Sequence, residues 1–182
     1  ELYNVGHMYE AAVADFQATG RRTFLAIAEK NAALLLRTFG TGPGQRRGFP
    51  GHQEIEIGLA KLYRATGKRP YLDLAKFFLD ERGHYFGGEK HAPGDPFGVY
   101  DSDEYMQNHK PVIEQDEAVG HAVRAMYMYS GMADVAALGG HPEYVAAIDR
   151  LWENVAGKKQ YLTGGVGARH TSEAFGDAYE LP

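Results

Sequence analysis

The chain has 182 residues, 44% of them hydrophobic, with no cysteine and a formal net charge of −5 from 19 basic and 24 acidic residues. That length supports one core and is short for two; the charge disfavours nucleic acid and anionic membranes as partners, and no apolar run approaches the roughly 18 residues that span a bilayer. Without cysteine these residues hold no disulfide framework, thiolate cluster or cysteine nucleophile.

The spacing of apolar residues predicts helices over 3–18, 22–38, 53–66, 70–82, 113–138 and 142–157. Phe24, Ile27, Ala28 and Leu34, then Ile55, Leu59, Leu62 and Tyr63, recur at helical intervals and mark the faces expected to be buried. The first and second pairs of helices repeat one another: Ala18-Thr19-Gly20-Arg21-Arg22-Thr23-Phe24-Leu25 aligns with Ala65-Thr66-Gly67-Lys68-Arg69-Pro70-Tyr71-Leu72 at an offset of 47. A fainter third copy runs through Gly140, Pro142, Tyr144 and Val145. The repeated unit reads as a helix closed by glycine, a tight turn, and a second helix with proline in its first turn, where the missing N–H costs nothing. Three αα-hairpins of this period fit either an open solenoid or a closed (α/α) barrel. Two segments interrupt the pattern: Gly83 to Lys110, a long loop rich in Gly, Pro, His and Asp, and Lys158 to Pro182, which carries Thr163-Gly164-Gly165-Val166-Gly167 and Glu173. Both are expected at one rim. The start at Glu1 and the stop at Leu181-Pro182 read as those of a piece of a longer protein, with cytoplasm and periplasm both open as its compartment.

Five of the eight histidines follow a glycine: His7, His52, His84, His121 and His141. His84 and His141 sit in turns. His7, His52 and His121 fall at the first helix of successive hairpins, and each has a carboxylate one turn away, in the pairs His7 with Glu10, His52 with Glu56 and His121 with Glu117. Such a carboxylate fixes an imidazole's tautomer, and a preceding glycine admits a close neighbour. A layer of histidines can line a polyol cleft, bind metal or pass protons; no His-x-x-x-His pair supports protein-only zinc. Asp101, Asp103 and Glu104 read as a solvated acidic face, Glu54 as pointing away from Glu56, and Trp152, Tyr127 and Tyr129 as core.

Six ordered motifs then resemble one family over the whole chain: Glu1-Leu2-Tyr3-Asn4-Val5-Gly6-His7-Met8, Pro50-Gly51-His52-Gln53-Glu54-Ile55-Glu56, His109-Lys110-Pro111-Val112, Glu117-Ala118-Val119-Gly120-His121, Thr163-Gly164-Gly165-Val166-Gly167 and Glu173-Ala174-Phe175-Gly176. The family is glycoside hydrolase family 127, the β-L-arabinofuranosidases. The resemblance implies an all-α fold, an (α/α)6 barrel of which this chain is an incomplete part, and a retaining hydrolysis by a zinc-held cysteine. It implies that Glu173 is the general acid and base, a role that needs poorly solvated surroundings, to which Phe175 would contribute. His7, His52 and His121 would hydrogen-bond the hydroxyls of a terminal arabinofuranose, as neutral imidazoles with one donor and one acceptor can, and His109 would orient the rim. The zinc ligands, a Glu and three cysteines, would follow the Leu-Pro at the end of this chain, so zinc is expected in the full-length protein and none in these 182 residues, which are expected to be inactive alone. The expected partner is an arabinose-containing carbohydrate; an opened barrel exposes apolar faces, which also makes a homodimer an option. A sugar isomerase or epimerase using paired histidines, and a non-catalytic helical scaffold, are the competing readings.

Overall fold

A computed structural model describes residues 2–84, 102–170 and 172–182. Among the described residues six α-helices carry the fold: α1 (Leu2–Thr19), α2 (Thr23–Thr38), α3 (Ile55–Thr66), α4 (Arg69–Asp80), α5 (Ala122–Gly139) and α6 (Pro142–Asn154), the last running into a π-helical turn at Val155–Lys159. They form three successive hairpins. The first helix of each packs beside the next, α1 on α3 and α3 on α5, while α2, α4 and α6 back them. This is an arc of an (α/α) barrel: two concentric layers of helices, with α1, α3 and α5 as neighbouring staves of one layer.

The repeat has a physical cause in its turns. Gly20, Gly67 and Gly140 all adopt left-handed backbone, with φ of 72°, 70° and 73°. Their amides close the preceding helix onto the Phe16, Tyr63 and Ala136 carbonyls. In the first two copies the preceding threonine hydroxyl also caps the helix end, Thr19 donating to Asp15 and Thr66 to Leu62. One core joins all six helices, centred on Tyr9, Leu25, Ile55, Leu59, Leu62, Phe78, Met128, Met132 and Tyr144. On α2 the buried line is Leu25, Ala28, Ala32 and Leu35, and Ile27 and Leu34, expected inside, are half exposed. Trp152 is likewise outside, 64% exposed.

Within this core Tyr144 donates its hydroxyl to Asp80 Oδ1 at 2.5 Å, joining α6 to α4. Asp80 is 46% exposed and also held by Lys76, so water replaces the lost donor readily. Tyr144→Phe is therefore expected to cost about 1.5 kcal/mol, the low end for a bond to a charged group, read from the denaturant midpoint.

The predicted helix at 113–138 is two elements. A 3-10 turn at Val112–Glu114 and an irregular stretch precede α5, so His121 is the residue that caps α5 and not an interior position. His52 similarly lies in the loop before α3. Helical pairing therefore applies to His7 alone. Residues 85–101 of the expected loop, Asp101 among them, lie outside the described residues.

Candidate active site

Three helix starts converge on one face. His7 comes from the second turn of α1, His52 from the loop entering α3, and His121 from the cap of α5. Close helix crossing brings the first two together: a Cβ on Gly58 would stand 2.6 Å from the Gly6 carbonyl oxygen, and one on Gly6 would stand 2.6 Å from Glu54 Cγ. Gly120 is the second close approach, where a Cβ would meet the Glu104 carbonyl oxygen at 1.9 Å. Gly51, before His52, meets nothing. The glycines before His7 and His121 thus admit a close neighbour, as expected of them, and the one before His52 does not.

The loops carrying His52 and His121 are tied by two glutamine amides that the sequence does not mark as functional. Gln53 donates to Gln107 Oε1 at 2.8 Å, and the Gln107 amide in turn faces the carbonyls of Val119 at 3.0 Å and His121 at 3.2 Å. Both glutamines are fully buried. Arg82, also fully buried, reaches the Met106 and Pro50 carbonyls and lies against the Phe49 ring, which pins the same loops. A buried guanidinium with such partners holds backbone that has no secondary structure of its own.

The three imidazoles and three tyrosines make a continuous ring surface. Tyr3 lies 4.6 Å from His7 and 4.5 Å from His52 between ring centroids. Tyr127 lies 5.6 Å from His52, His52 lies 6.0 Å from His121, and Tyr105 lies 5.3 Å from His121. Tyr127, expected in the core, is therefore part of this face, and Tyr3 joins it from the first turn of α1. Tyr129 remains with the packed residues.

Hydrogen-bond partners assign the tautomers. His52 Nδ1 stands 2.6 Å from the Gln53 carbonyl oxygen, so Nδ1 carries the proton and Nε2 is an acceptor. His121 Nδ1 accepts from the Arg124 amide at 3.3 Å, so its proton sits on Nε2, 3.0 Å from Glu173 Oε2. Burial, then the Arg124 charge, lowers the His121 pKa, and burial lowers that of His52, so both are neutral near pH 7. The expected carboxylate partners are different ones. Glu117 pairs with Lys159, and Glu56 is buried with Oε2 accepting from the Glu54 amide.

Glu173 reaches His121 because its segment is laced to the start of α5. Ala122 N donates to the Glu173 carbonyl and Phe175 N to the Gly120 carbonyl, both at 2.9 Å. Phe175 is buried among Ala118, Ala122, Ala125 and Val155. Glu173 itself takes φ of 49°, a left-handed conformation that is uncommon outside glycine and collects at functional sites. Its side chain is 70% exposed, so the poorly solvated surroundings expected of it are not supplied by these residues. His109 is partly buried, its pKa lowered chiefly by that burial, and its Nδ1 has no hydrogen-bond partner among the described residues. No described ring contact joins it to the other histidines.

One carboxyl pair belongs to this face unexpectedly. Glu54, expected elsewhere on its helix, is fully buried, with Oε1 3.3 Å from His7 Nδ1; Glu10 Oε2 stands 3.4 Å from the same nitrogen. Lys61 forms an ion pair with the other Glu10 oxygen. Burial first, and then the facing Glu10, push the Glu54 pKa up to about 9. At Glu10 burial raises the value, but Glu54 and Lys61 outweigh it and the pKa falls. A raised folded pKa means that the folded state holds the proton more tightly than the unfolded one. The stability this contributes is complete below the ordinary value of 4.5 and is lost as pH rises through about 9. Glu54→Gln removes that loss, since the amide never ionises: wild type is expected to fall behind the variant steadily from pH 5 to pH 9 in thermal midpoint. A constant gap across that range would mean that Glu54 ionises normally in the fold.

As to metal, the sulfur donors implied by the resemblance do not exist in this chain, which has no cysteine. The residues present therefore do not fit the implied zinc centre. Among the described residues, His7, Glu10 and Glu54 bring ligand atoms within 4.8 Å of one another, with the Lys61 ammonium already the cation beside them.

No described helix is long and apolar enough to cross a membrane. Over residues 1–182 the chain matches the family described as β-L-arabinofuranosidase, GH127 catalytic domain. It is 40% identical over 190 residues to the non-reducing end β-L-arabinofuranosidase of Bifidobacterium longum subsp. longum, covering 100% of this chain and 29% of that protein. Among solved structures it resembles a GH127 β-L-arabinofuranosidase from Geobacillus stearothermophilus T6, with TM-score 0.93 and 46% identity over 100% of this chain and 29% of that one. It also resembles a GH127 β-arabinofuranosidase, with TM-score 0.88 and 56% identity over 100% of this chain and 26% of that one. The chain thus spans less than a third of the length of these relatives.

Proposed function

Because the chain belongs to glycoside hydrolase family 127, the β-L-arabinofuranosidases, we propose that it carries the acid–base and sugar-binding part of a retaining hydrolase that removes terminal β-L-arabinofuranosyl residues. The observation that carries this is the contact of His121 Nε2 with Glu173 Oε2 at 3.0 Å on the face shared with His7 and His52.

In this reading Glu173 protonates the departing glycosidic oxygen and later takes a proton from the attacking water. Between the two steps its carboxylate is anionic, and the Nε2–H of His121 donates to it, stabilising the charge without giving up the proton. His52 offers Nε2 as an acceptor for a sugar hydroxyl, and His7 adds its imidazole on the same face. The nucleophile has no candidate thiol among these residues, so turnover belongs to the full-length protein and not to the 182-residue chain alone.

The isomerase reading is not favoured, because His52 and His121 stand with ring centroids 6.0 Å apart, which leaves no room for a sugar ring between an acid and a base. The scaffold reading is not favoured either, since the matched relatives bear enzyme names. The test is release of the aryl group from an aryl β-L-arabinofuranoside by the full-length protein, with the anomer of the sugar followed by NMR. Release of β-L-arabinose as first product supports the proposal; conversion of a free sugar without hydrolysis of the glycoside would replace it.

A further inference from the structure

His7 presents a problem that the other two histidines do not. It projects from a helix with its side chain 41% exposed, so packing alone leaves its ring free to turn. Four groups surround the ring. Tyr3, one turn earlier, meets it edge-on; Glu10, one turn later, and Glu54, the residue that precedes α3, both address Nδ1, at 3.4 and 3.3 Å. Tyr3 and Glu10 travel with α1. Two groups relate the ring to the rest of the fold: Tyr127 on α5, which meets it edge-on at 6.1 Å between centroids, and Glu54, the one of the two that addresses Nδ1.

We propose that Glu54, backed by Glu10, is a positioning residue that holds the His7 ring with Nδ1 turned inward as donor and leaves Nε2 as the acceptor offered to substrate. This extends the proposed function and rests on it for the identity of the substrate. Glu54 is fully buried, and neither of its oxygens has a hydrogen bond of ordinary geometry among the described residues. A buried carboxyl so poorly bonded is a cost to folding, and its close polar neighbours are His7 and Glu10. The fold makes space for it: Gly6 and Gly58 let α1 and α3 approach until Glu54 Cγ occupies the place of a Gly6 side chain. Two facing carboxyls in a buried site do not both ionise, and Lys61 draws the charge to Glu10. What remains toward Nδ1 is one negative charge and one neutral carboxyl, which selects, between the two neutral tautomers, the one with its proton on Nδ1 and its acceptor at Nε2. The high pKa of Glu54 agrees with this. The charged or titratable groups facing the pair are His7 from α1, Glu56 and Lys61 from α3, and Tyr127 from α5.

The test compares Glu54→Leu with Glu54→Gln in the full-length protein, by crystal structure without substrate and by kinetics on an aryl β-L-arabinofuranoside. The leucine variant is expected to release the His7 ring from its place while Tyr3 and Tyr127 stay, and to lower kcat/KM by about tenfold or more, the usual effect of losing a group that orients a functional imidazole. The glutamine variant, which reproduces a neutral carboxyl, is expected to keep the ring in place and to remain within about threefold of wild type. In a His7→Ala background, Glu54→Leu is expected to add less than about twofold, because a residue acting through His7 has nothing left to act on. A ring that stays put in the leucine variant, a full additive loss on His7→Ala, or a zinc or manganese ion found by anomalous scattering between His7, Glu10 and Glu54 would each overturn the inference. If wild type fails to cleave the glycoside while the ring moves as expected, the proposed function falls and the positioning role stands. If wild type is active and the ring is undisturbed, the proposed function stands and the positioning role falls.

Discussion

Glu173→Gln is expected to lower kcat of the full-length protein on an aryl β-L-arabinofuranoside by about two to four powers of ten, the usual worth of general acid–base catalysis. The substitution is well suited to isolating the proton. Glutamine has the shape of the carboxyl, and its amide oxygen can still accept from His121 Nε2, which stands 3.0 Å from Glu173 Oε2 in the native chain. The backbone bonds at Ala122 and Phe175 that fix the segment do not involve the side chain. Only proton transfer is lost. Binding of arabinose should change little, so the effect belongs in kcat, and it should grow as the leaving group becomes more basic and needs protonation more. A loss smaller than tenfold on a substrate with a basic leaving group would remove Glu173 from the acid–base role.

The second large effect is structural and touches the same contact. Gly120→Ala is expected to destabilise the protein by about 3 kcal/mol, adding roughly 1 kcal/mol for an L-residue in left-handed backbone to roughly 2 for overpacking. The conformation is φ of 71°, and the new Cβ would stand 1.9 Å from the Glu104 carbonyl oxygen and 2.7 Å from Tyr105 Cα. These are backbone atoms, which cannot swing aside as a side chain would. Relief requires Gly120 to move, and its carbonyl accepts from Phe175 N while the next residue is His121. The folded fraction of the variant should therefore also lose activity. Gly140→Ala is the internal control: its φ is 73°, yet nothing lies within 4 Å, so only the conformational cost of about 1 kcal/mol is expected. Equal losses in the two variants, read from denaturant midpoints, would show that crowding at Gly120 is relieved cheaply.

Much of the candidate site was legible because its signals are local or repeated. The turn glycines at 20, 67 and 140 recur because each hairpin needs left-handed backbone at one point, and that demand leaves the same residue type each time. His7, His52 and His121 stood out for the same reason, and the Glu-Ala-Phe motif located Glu173. What could not be read were contacts between distant segments. Glu54 looked displaced because helical spacing measures a face only within one helix, whereas Glu54 lies just before α3 begins and meets His7 across the α1–α3 crossing. Glu117 and Glu56 were paired with histidines by the same measure, which fails where the chain before α3 and α5 is not helical. Gln53 and Gln107 carry no chemical signature in sequence, yet their buried amides couple the two histidine loops.

By itself, then, the sequence determined the elements and the chemistry available: three helical hairpins, a glycine-preceded histidine at the start of each, one motif carboxylate, and no thiol. Those follow from backbone preference, apolar period and residue identity, all of which act over a few positions. The tertiary structure alone decided which nitrogen of His52 and of His121 carries a proton, which carboxylates stand beside His7 and His121, and that Tyr3 and Tyr127 join the candidate site while Trp152 stays outside. Those depend on distances between residues tens of positions apart, and such distances exist only after the helices have packed.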